Sequence, residues 1–119
     1  MDLESETARL CILGTQAEFA HRPQDARECY ARAWQAARDD VEACIAAHYV
    51  ARFQDTPQET LRWNLLALEH ALAGADPALA DFFPSLYLNL GQSYAQLGDP
   101  TQSAHYYRLA ADLGFEHQA

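Results

Sequence analysis

The chain has 119 residues, 50% of them hydrophobic, which is enough for one domain with a modest core. Its 17 acidic and 8 basic residues give a formal charge of −9, which opposes binding to a nucleic-acid backbone or an anionic membrane. We expect a cytoplasmic protein, because the start is acidic and no apolar run reaches the ~18 residues that a membrane span needs. The three cysteines have no CxxC spacing, so we expect their thiols to be reduced.

The first predicted element is a pair of helices over about residues 7–40. Apolar or small residues recur at three- or four-residue spacing on both sides of a break at Pro23: Leu10, Leu13, Ala17, Ala26, Tyr30 and Ala33. Proline favours the first turn of a helix, so the second helix of the pair begins at Pro23. His21 occupies the turn, where a residue that tolerates a left-handed backbone is expected.

A second pair is predicted over about residues 41–74. The stretch DTPQET provides Thr56 as a cap, Pro57 as the first helical residue and Glu59 as the partner that completes a capping box. Asp55 lies in the position that corresponds to His21, and Gly74 is the expected C-terminal stop.

A nine-residue insertion, 75–83, precedes a third pair over about residues 84–117. Asp76 and Pro77 form another helix start, so the following helix is expected to begin early and bend at Pro84. Phe82 and Phe83 either pack around Leu68 and Leu72 or form an exposed docking lip. The turn of the third pair contains Gly98, and Gly114 ends it.

The three helix-starting prolines indicate a repeated unit. Pro23 and Pro57 are 34 residues apart, and Pro57 and Pro100 are 43 apart, which is one unit plus the insertion. The segment YLNLGQSYAQLGDPTQSAHYYRLA resembles a tetratricopeptide repeat through Leu90, Gly91 and Tyr94 in its first helix and Tyr107 in its second. The resemblance implies one domain, residues 1–119, with an all-α fold: a right-handed stack of three antiparallel helical hairpins.

The middle unit departs from the repeat pattern at three polar residues. His48 replaces the small glycine, Thr60 replaces a small residue, and Asn64 replaces the aromatic residue. In this fold the three side chains face one another, so they are expected to form a buried hydrogen-bond network. Such a network has a purely structural role, or His48 acts as a pH-sensitive switch, because protonation removes the hydrogen-bond acceptor nitrogen of its ring.

The resemblance also implies a concave groove lined by the first helix of each pair. Arg52 is the single cation on that face, where it is available to bind a carboxylate of a partner beside Tyr49 and Phe53, or to pair with Glu18, or to lie in solvent. Helical spacing places eleven residues on the groove: Cys11, Thr15, Glu18, Phe19, Ile45, Tyr49, Arg52, Phe53, Leu88, Gln92 and Gln96.

The predicted fold suggests two alternative functions. The first is a protein–protein interaction scaffold or adaptor that binds a peptide or a partner helix in the groove. The second is homodimerisation through the C-terminal hairpin, whose last helix carries apolar residues that a further repeat would cover: Ala104, Tyr107, Ala111 and Phe115.

Catalytic and cofactor-binding motifs are missing from the sequence. There is no Gly-rich phosphate loop, nucleophile elbow or paired acid motif, so we expect no enzyme activity and no cofactor. Cys44 and His48 share a helical face as two metal ligands do, but no second pair has ligand spacing, so no metal site is predicted.

Overall fold

The computed structural model describes residues 2–114, and every regular element in them is helical, which confirms the predicted all-α class. The helices are α1 (Glu6–Phe19), α2 (Pro23–Ala36), α3 (Asp40–Ala51), α4 (Pro57–Gly74), α5 (Phe83–Gln96) and α6 (Pro100–Asp112). The most extensive packing joins α1 to α2, α3 to α4 and α5 to α6, and smaller contacts join α2 to α3 and α4 to α5. Within the described range, no helix combines the length and apolar composition that crossing a bilayer requires.

Side chains at the helix starts satisfy backbone amides that have no partner within the helix. Thr56 Oγ1 accepts a hydrogen bond from the Glu59 amide at 3.1 Å, and Pro57 is the first residue of α4, as the sequence predicts. The Glu59 carboxylate pairs with Arg62 instead of returning to the Thr56 amide, so the capping box is only half formed. The other side-chain caps are Ser5, Asp39, Asp76 and Asp99.

The turns within the pairs use the left-handed backbone at two of the three predicted positions. His21 has a φ of 58° and Gly98 a φ of 76°. Asp55 does not have a positive φ, so the expectation for this turn is wrong. The chain enters α4 there through the extended backbone of Thr56, which caps the helix without a left-handed residue.

The end of α4 lies at Gly74, as the sequence predicts, but Ala75 and not Gly74 takes the left-handed position, with a φ of 46°. Gly74 serves close packing instead, since a Cβ atom added there would lie 3.0 Å from the Asp40 Cβ. The helix ends through the left-handed Ala75, whose amide donates to the Ala71 carbonyl at 3.3 Å, so the conformational freedom of glycine is not used there.

The first and third pairs are held by the same close contact between a glycine and a tyrosine. A Cβ atom added to Gly14 would lie closer than 3.0 Å to the ring of Tyr30, and one added to Gly91 would meet Tyr107 at 2.7 Å. The two helices of each pair thus approach to a distance that only glycine permits. Tyr30 is fully buried, whereas Tyr107 is half-buried.

The largest core cluster lies between α3, α4 and α5 and includes the insertion. A 3-10 helix, Pro77–Phe82, leads directly into α5, and its Leu79 is 2% exposed in this cluster. Phe82 and Phe83 pack against the cluster that contains Leu68, while Leu72 is 59% exposed and does not cover them. The insertion is therefore anchored to the core by its middle residue.

Cysteine side chains also lie in the core. Cys44 is fully buried, and burial raises the pKa of its thiol to about 12. Burial likewise raises the pKa of the Cys11 thiol to about 11. Both thiols are therefore uncharged at neutral pH and act as small apolar groups in packing.

We predict that Gly14→Ala destabilises the protein more than Gly91→Ala. Each alanine gains about 1 kcal/mol of helix propensity, but the added methyl group overpacks against a tyrosine ring at a cost of about 1–3 kcal/mol. The Tyr30 ring is fully buried and is enclosed on all sides, whereas the Tyr107 ring is only half-buried and is less tightly enclosed. Urea unfolding should show a loss of about 1–2 kcal/mol for Gly14→Ala and little change for Gly91→Ala. An equal or larger loss in Gly91→Ala would contradict the argument.

Candidate functional site

An open apolar groove of about 490 Å³ lies over α1, α3 and the 3-10 helix. Three of its side chains are large and exposed: Leu3 at 75%, Ile12 at 50% and Phe19 at 81%. Its other large apolar residues are Ile45, Tyr49 and Phe82. We call this surface the apolar groove. It holds several large apolar side chains in solvent on a chain with a charge of −9.

A second concave site, the polar cavity, has a volume of about 250 Å³ and lies between α3, α4 and α5. Its lining is polar except for Ala51. The polar residues are His48, Arg52, Thr60, Asn64, Asn89, Gln92, Ser93 and Gln96. Arg52 is the one residue in this lining with a fixed charge, so the cavity offers mainly amide, hydroxyl and imidazole groups.

The apolar groove and the polar cavity are neighbours. The His48 ring, which lines the polar cavity, packs edge-on against Phe82 of the apolar groove at 4.9 Å and against Tyr49 at 5.4 Å between centroids. A smaller depression lined by Thr15, Glu18, Phe19 and Arg52 also shares residues with both sites. The three concavities therefore form one connected surface.

An ion pair between α1 and the end of α3 crosses this surface. Arg52 donates to the Glu18 carboxylate at 2.8 Å, which is one of the alternatives considered for Arg52 from sequence. The Tyr30 hydroxyl also donates to Glu18 and lies 3.2 Å from Thr15 Oγ1. Burial, followed by the Glu18 hydrogen bond, raises the pKa of Tyr30, so the hydroxyl stays protonated and orients the carboxylate.

The three polar residues of the middle unit line the same cavity but bond elsewhere. Asn64 donates to Ser93 Oγ at 2.9 Å, and the Asn89 amide nitrogen lies 3.2 Å from His48 Nδ1. Thr60 donates to the carbonyl of Thr56 in its own helix at 3.2 Å. The direct network expected among His48, Thr60 and Asn64 is thus not formed: His48 and Asn64 bond to α5, which closes the other side of the cavity, and Thr60 bonds within its own helix.

The environment of His48 keeps its imidazole neutral. An amide nitrogen only donates, so Asn89 donates to Nδ1 and the His48 proton lies on Nε2. Burial, with a smaller contribution from the positive charge of Arg52, lowers the pKa of His48 to about 4.

The residues predicted for the groove divide among the sites. Cys11, Thr15, Phe19, Ile45 and Tyr49 line the apolar groove, and Arg52, Gln92 and Gln96 line the polar cavity. Glu18 lines the depression between them. Phe53 lies in a separate depression with Glu18, His21 and Pro23, and Leu88 is half-buried and lines neither site.

Sequence reasoning did not place eight lining residues in these sites: Leu3, Ala8, Ile12, Gln16, Ala51, Phe82, Asn89 and Ser93. The helical period contained part of the missing signal, because Ile12 lies seven residues before Phe19 and Asn89 lies four before Ser93. The sequence contained no such pattern for Phe82, because this residue lies where the 3-10 helix joins α5 and the sequence does not give the angle between them.

The residues of the predicted dimer face are not equivalent in the structure. The Tyr107 ring lies beside Gly91 in its own hairpin, whereas Ala104 and Ala111 are exposed. Leu113, which was not part of the predicted face, is exposed just after α6. A depression of about 340 Å³ between α5 and α6 is lined partly by Ala104 and Tyr107. Phe115, the fourth residue of the predicted face, lies outside the described residues.

Comparison of the chain with protein-family models, with curated proteins and with solved structures finds no significant match. The arguments for function therefore depend on the geometry of the apolar groove and the polar cavity.

We predict that His48 makes the stability of the protein depend on pH. The pKa of His48 is about 4 in the folded chain and about 6.5 when unfolded, so the unfolded chain binds the proton more readily. Above pH 6.5, His48 does not change the free energy of unfolding. As the pH decreases toward 4, His48 lowers the free energy of unfolding by about 2–3 kcal/mol. Urea unfolding across this range should show a steeper loss in the wild type than in His48→Gln. Parallel curves for the two proteins would leave His48 with a structural role alone.

Proposed function

We propose that the protein is an interaction scaffold that binds an amphipathic segment of a partner protein in the apolar groove. The observation that carries the proposal is the alignment of Leu3, Ile12 and Phe19 along one open groove, each at least 50% exposed. Contiguous apolar surface costs free energy in water, and in folded proteins it is typical of binding sites. No paired catalytic groups are needed for this function.

The proposed architecture is a right-handed stack of three antiparallel hairpins, similar to tetratricopeptide repeats. Two features support it: helices pack most extensively in consecutive pairs, and the Gly14–Tyr30 and Gly91–Tyr107 contacts recur at corresponding positions. In such a stack α1, α3 and α5 line the inner surface. The apolar groove and the polar cavity both include residues of α3, which is the central helix of that surface.

The dimensions and charge of the groove define the partner. Ile12 and Phe19 are seven residues apart on α1, or about 10 Å, so they suit apolar side chains spaced two helical turns apart in the partner. Leu3 lies at one end between the exposed residues Asp2 and Glu4. Because these carboxylates attract cations, the bound segment is expected to carry Lys or Arg beside its apolar residues.

The second candidate function is self-association through α6. It is favoured by the exposure of Ala104 and Ala111 on this helix and of Leu113 just after it, and by the adjoining depression of about 340 Å³. In that case two copies would pair through the same surface, with each α6 against its twin.

Light scattering coupled to size exclusion tests the second candidate. At ~100 μM, well above a micromolar dissociation constant, self-association predicts the mass of two chains. Ala111→Arg should then return the mass to one chain, because the new charge would be buried in the interface. A single-chain mass for the wild type would exclude this candidate.

The leading proposal predicts that charged groove variants lose binding without losing stability. Random displayed peptides selected on the immobilised protein should be amphipathic and should carry basic residues. Ile12→Glu and Phe19→Glu should each weaken a selected peptide by about tenfold or more, because they place a charge in the apolar contact. Both side chains are at least half exposed, so the thermal midpoint should change little.

Leu72→Glu is the matched control for this experiment. Leu72 is 59% exposed on α4 and does not line the groove, so its substitution adds the same charge elsewhere. Its peptide affinity should remain that of the wild type. Equal binding by all three variants, or a failure to enrich any peptide, would refute the proposal.

A further inference from the structure

Two buried side chains present unused hydrogen-bonding groups to the polar cavity. Asn64 is 6% exposed and Ser93 is 2% exposed, and both line the cavity. Asn64 Nδ2 donates to Ser93 Oγ at 2.9 Å. In residues 2–114 this leaves the Asn64 Oδ1 without a donor and the Ser93 hydroxyl hydrogen without an acceptor. No buried side-chain nitrogen or oxygen atom of the described residues lacks a hydrogen-bond partner, so the unused Asn64 oxygen is open to the cavity, where a ligand can bond to it in place of water.

The rim of the cavity adds further amide groups. Gln92 and Gln96 form no hydrogen bond through their side chains within the described part of the chain. Asn89 uses its nitrogen on His48, which leaves its oxygen as an acceptor. Donors and acceptors are therefore both available, as a ligand with both kinds of group requires.

The charges around the cavity disfavour an ionic ligand. Arg52 is already paired with Glu18 at 2.8 Å, so an incoming carboxylate would compete with Glu18 and be repelled by it. Ala51 and Gln96 are the last residues of α3 and α5, and the partial negative charge of helix C-termini also opposes an anion. An ammonium group would find no carboxylate in the lining, because Glu18 lies outside it and is already paired with Arg52. The best ligand group is thus uncharged.

The size and lining of the cavity narrow the class of ligand. No Phe, Tyr or Trp lines it, so a nucleobase would have no aromatic surface on which to stack. Its volume of about 250 Å³ is below the range of ~300–1,000 Å³ that is usual for sites of whole drug-sized ligands. The cavity therefore suits one polar group of a larger ligand. A primary carboxamide has two N–H donors and a carbonyl acceptor, which match Asn64 Oδ1 and the Ser93 hydroxyl.

We propose that the polar cavity is a subsite for the side-chain carboxamide of an asparagine or glutamine in the segment that binds the apolar groove. This inference rests on the proposed function for its occupant, because the cavity adjoins the groove where His48 contacts Phe82 at 4.9 Å. The amide nitrogen of the ligand donates to Asn64 Oδ1, and its carbonyl oxygen accepts from the Ser93 hydroxyl. The bound segment is thus selected by an uncharged amide as well as by its apolar residues.

Titration of the isotopically labelled protein with N-acetyl-glutamine N-methylamide, followed by NMR, tests the subsite by itself. N-acetyl-glutamate N-methylamide is the matched probe, since it has the same shape but a charged end group. The glutamine probe should produce saturable shifts in the side-chain amide signals of Asn64, Asn89 and Gln92. The glutamate probe should bind about tenfold more weakly, and Ser93→Ala should weaken the glutamine probe by a similar factor.

A third variant separates the subsite from the groove. Phe19→Glu should lose groove peptides but bind the glutamine probe as the wild type does, because Phe19 does not line the cavity. Equal or tighter binding of the glutamate probe, or no saturable shift with the glutamine probe, would overturn the inference even if peptides bind the groove. Binding of the glutamine probe at the cavity when no peptide binds the groove would overturn the proposed function and leave the subsite standing.

Discussion

The close approach of the two helices within a pair is the constraint on which the rest of the structure depends. In the first pair Gly14 leaves room for the ring of Tyr30, and in the third pair Gly91 does the same for Tyr107. The ring fills the space beside the glycine, so these pairs have solid interiors. The corresponding positions of the middle pair hold His48 and Asn64 instead of a glycine and an aromatic ring, so this contact is missing there.

The polar cavity follows from this difference in the middle pair. His48 stands where the other pairs have glycine, and Asn64 stands where they have tyrosine, so no aromatic ring fills the space. Polar groups left in such a space need partners, and α5 supplies two of them, through Asn89 and Ser93. The residues that interrupt the repeat pattern therefore also hold the second and third pairs together. Their remaining donors and acceptors are what the cavity offers to a ligand.

The insertion connects the cavity to the apolar groove. Leu79 anchors the 3-10 helix in the core, and this anchor holds Phe82 against the ring of His48. The same packing removes water from His48 and favours its neutral form. On the other side, the ion pair of Glu18 with Arg52 neutralises the only fixed positive charge of the cavity lining. An acidic protein thus has a connected surface whose center is apolar or uncharged, and the charge of its surroundings favours neutral or basic partners.

The sequence by itself determined the helices, because proline, capping side chains and the helical period act over a few residues and need no tertiary contact. It also determined which residues share a helix face, and this predicts that Tyr49 and Arg52 lie on the same side of α3. Only the tertiary structure decided which faces meet: Asn64 bonds to Ser93 and not to His48, because the approach of α5 is set by packing between pairs and not by spacing along one helix. The direction of Phe82 was decided in the same way, since it depends on packing against His48, which is distant in sequence.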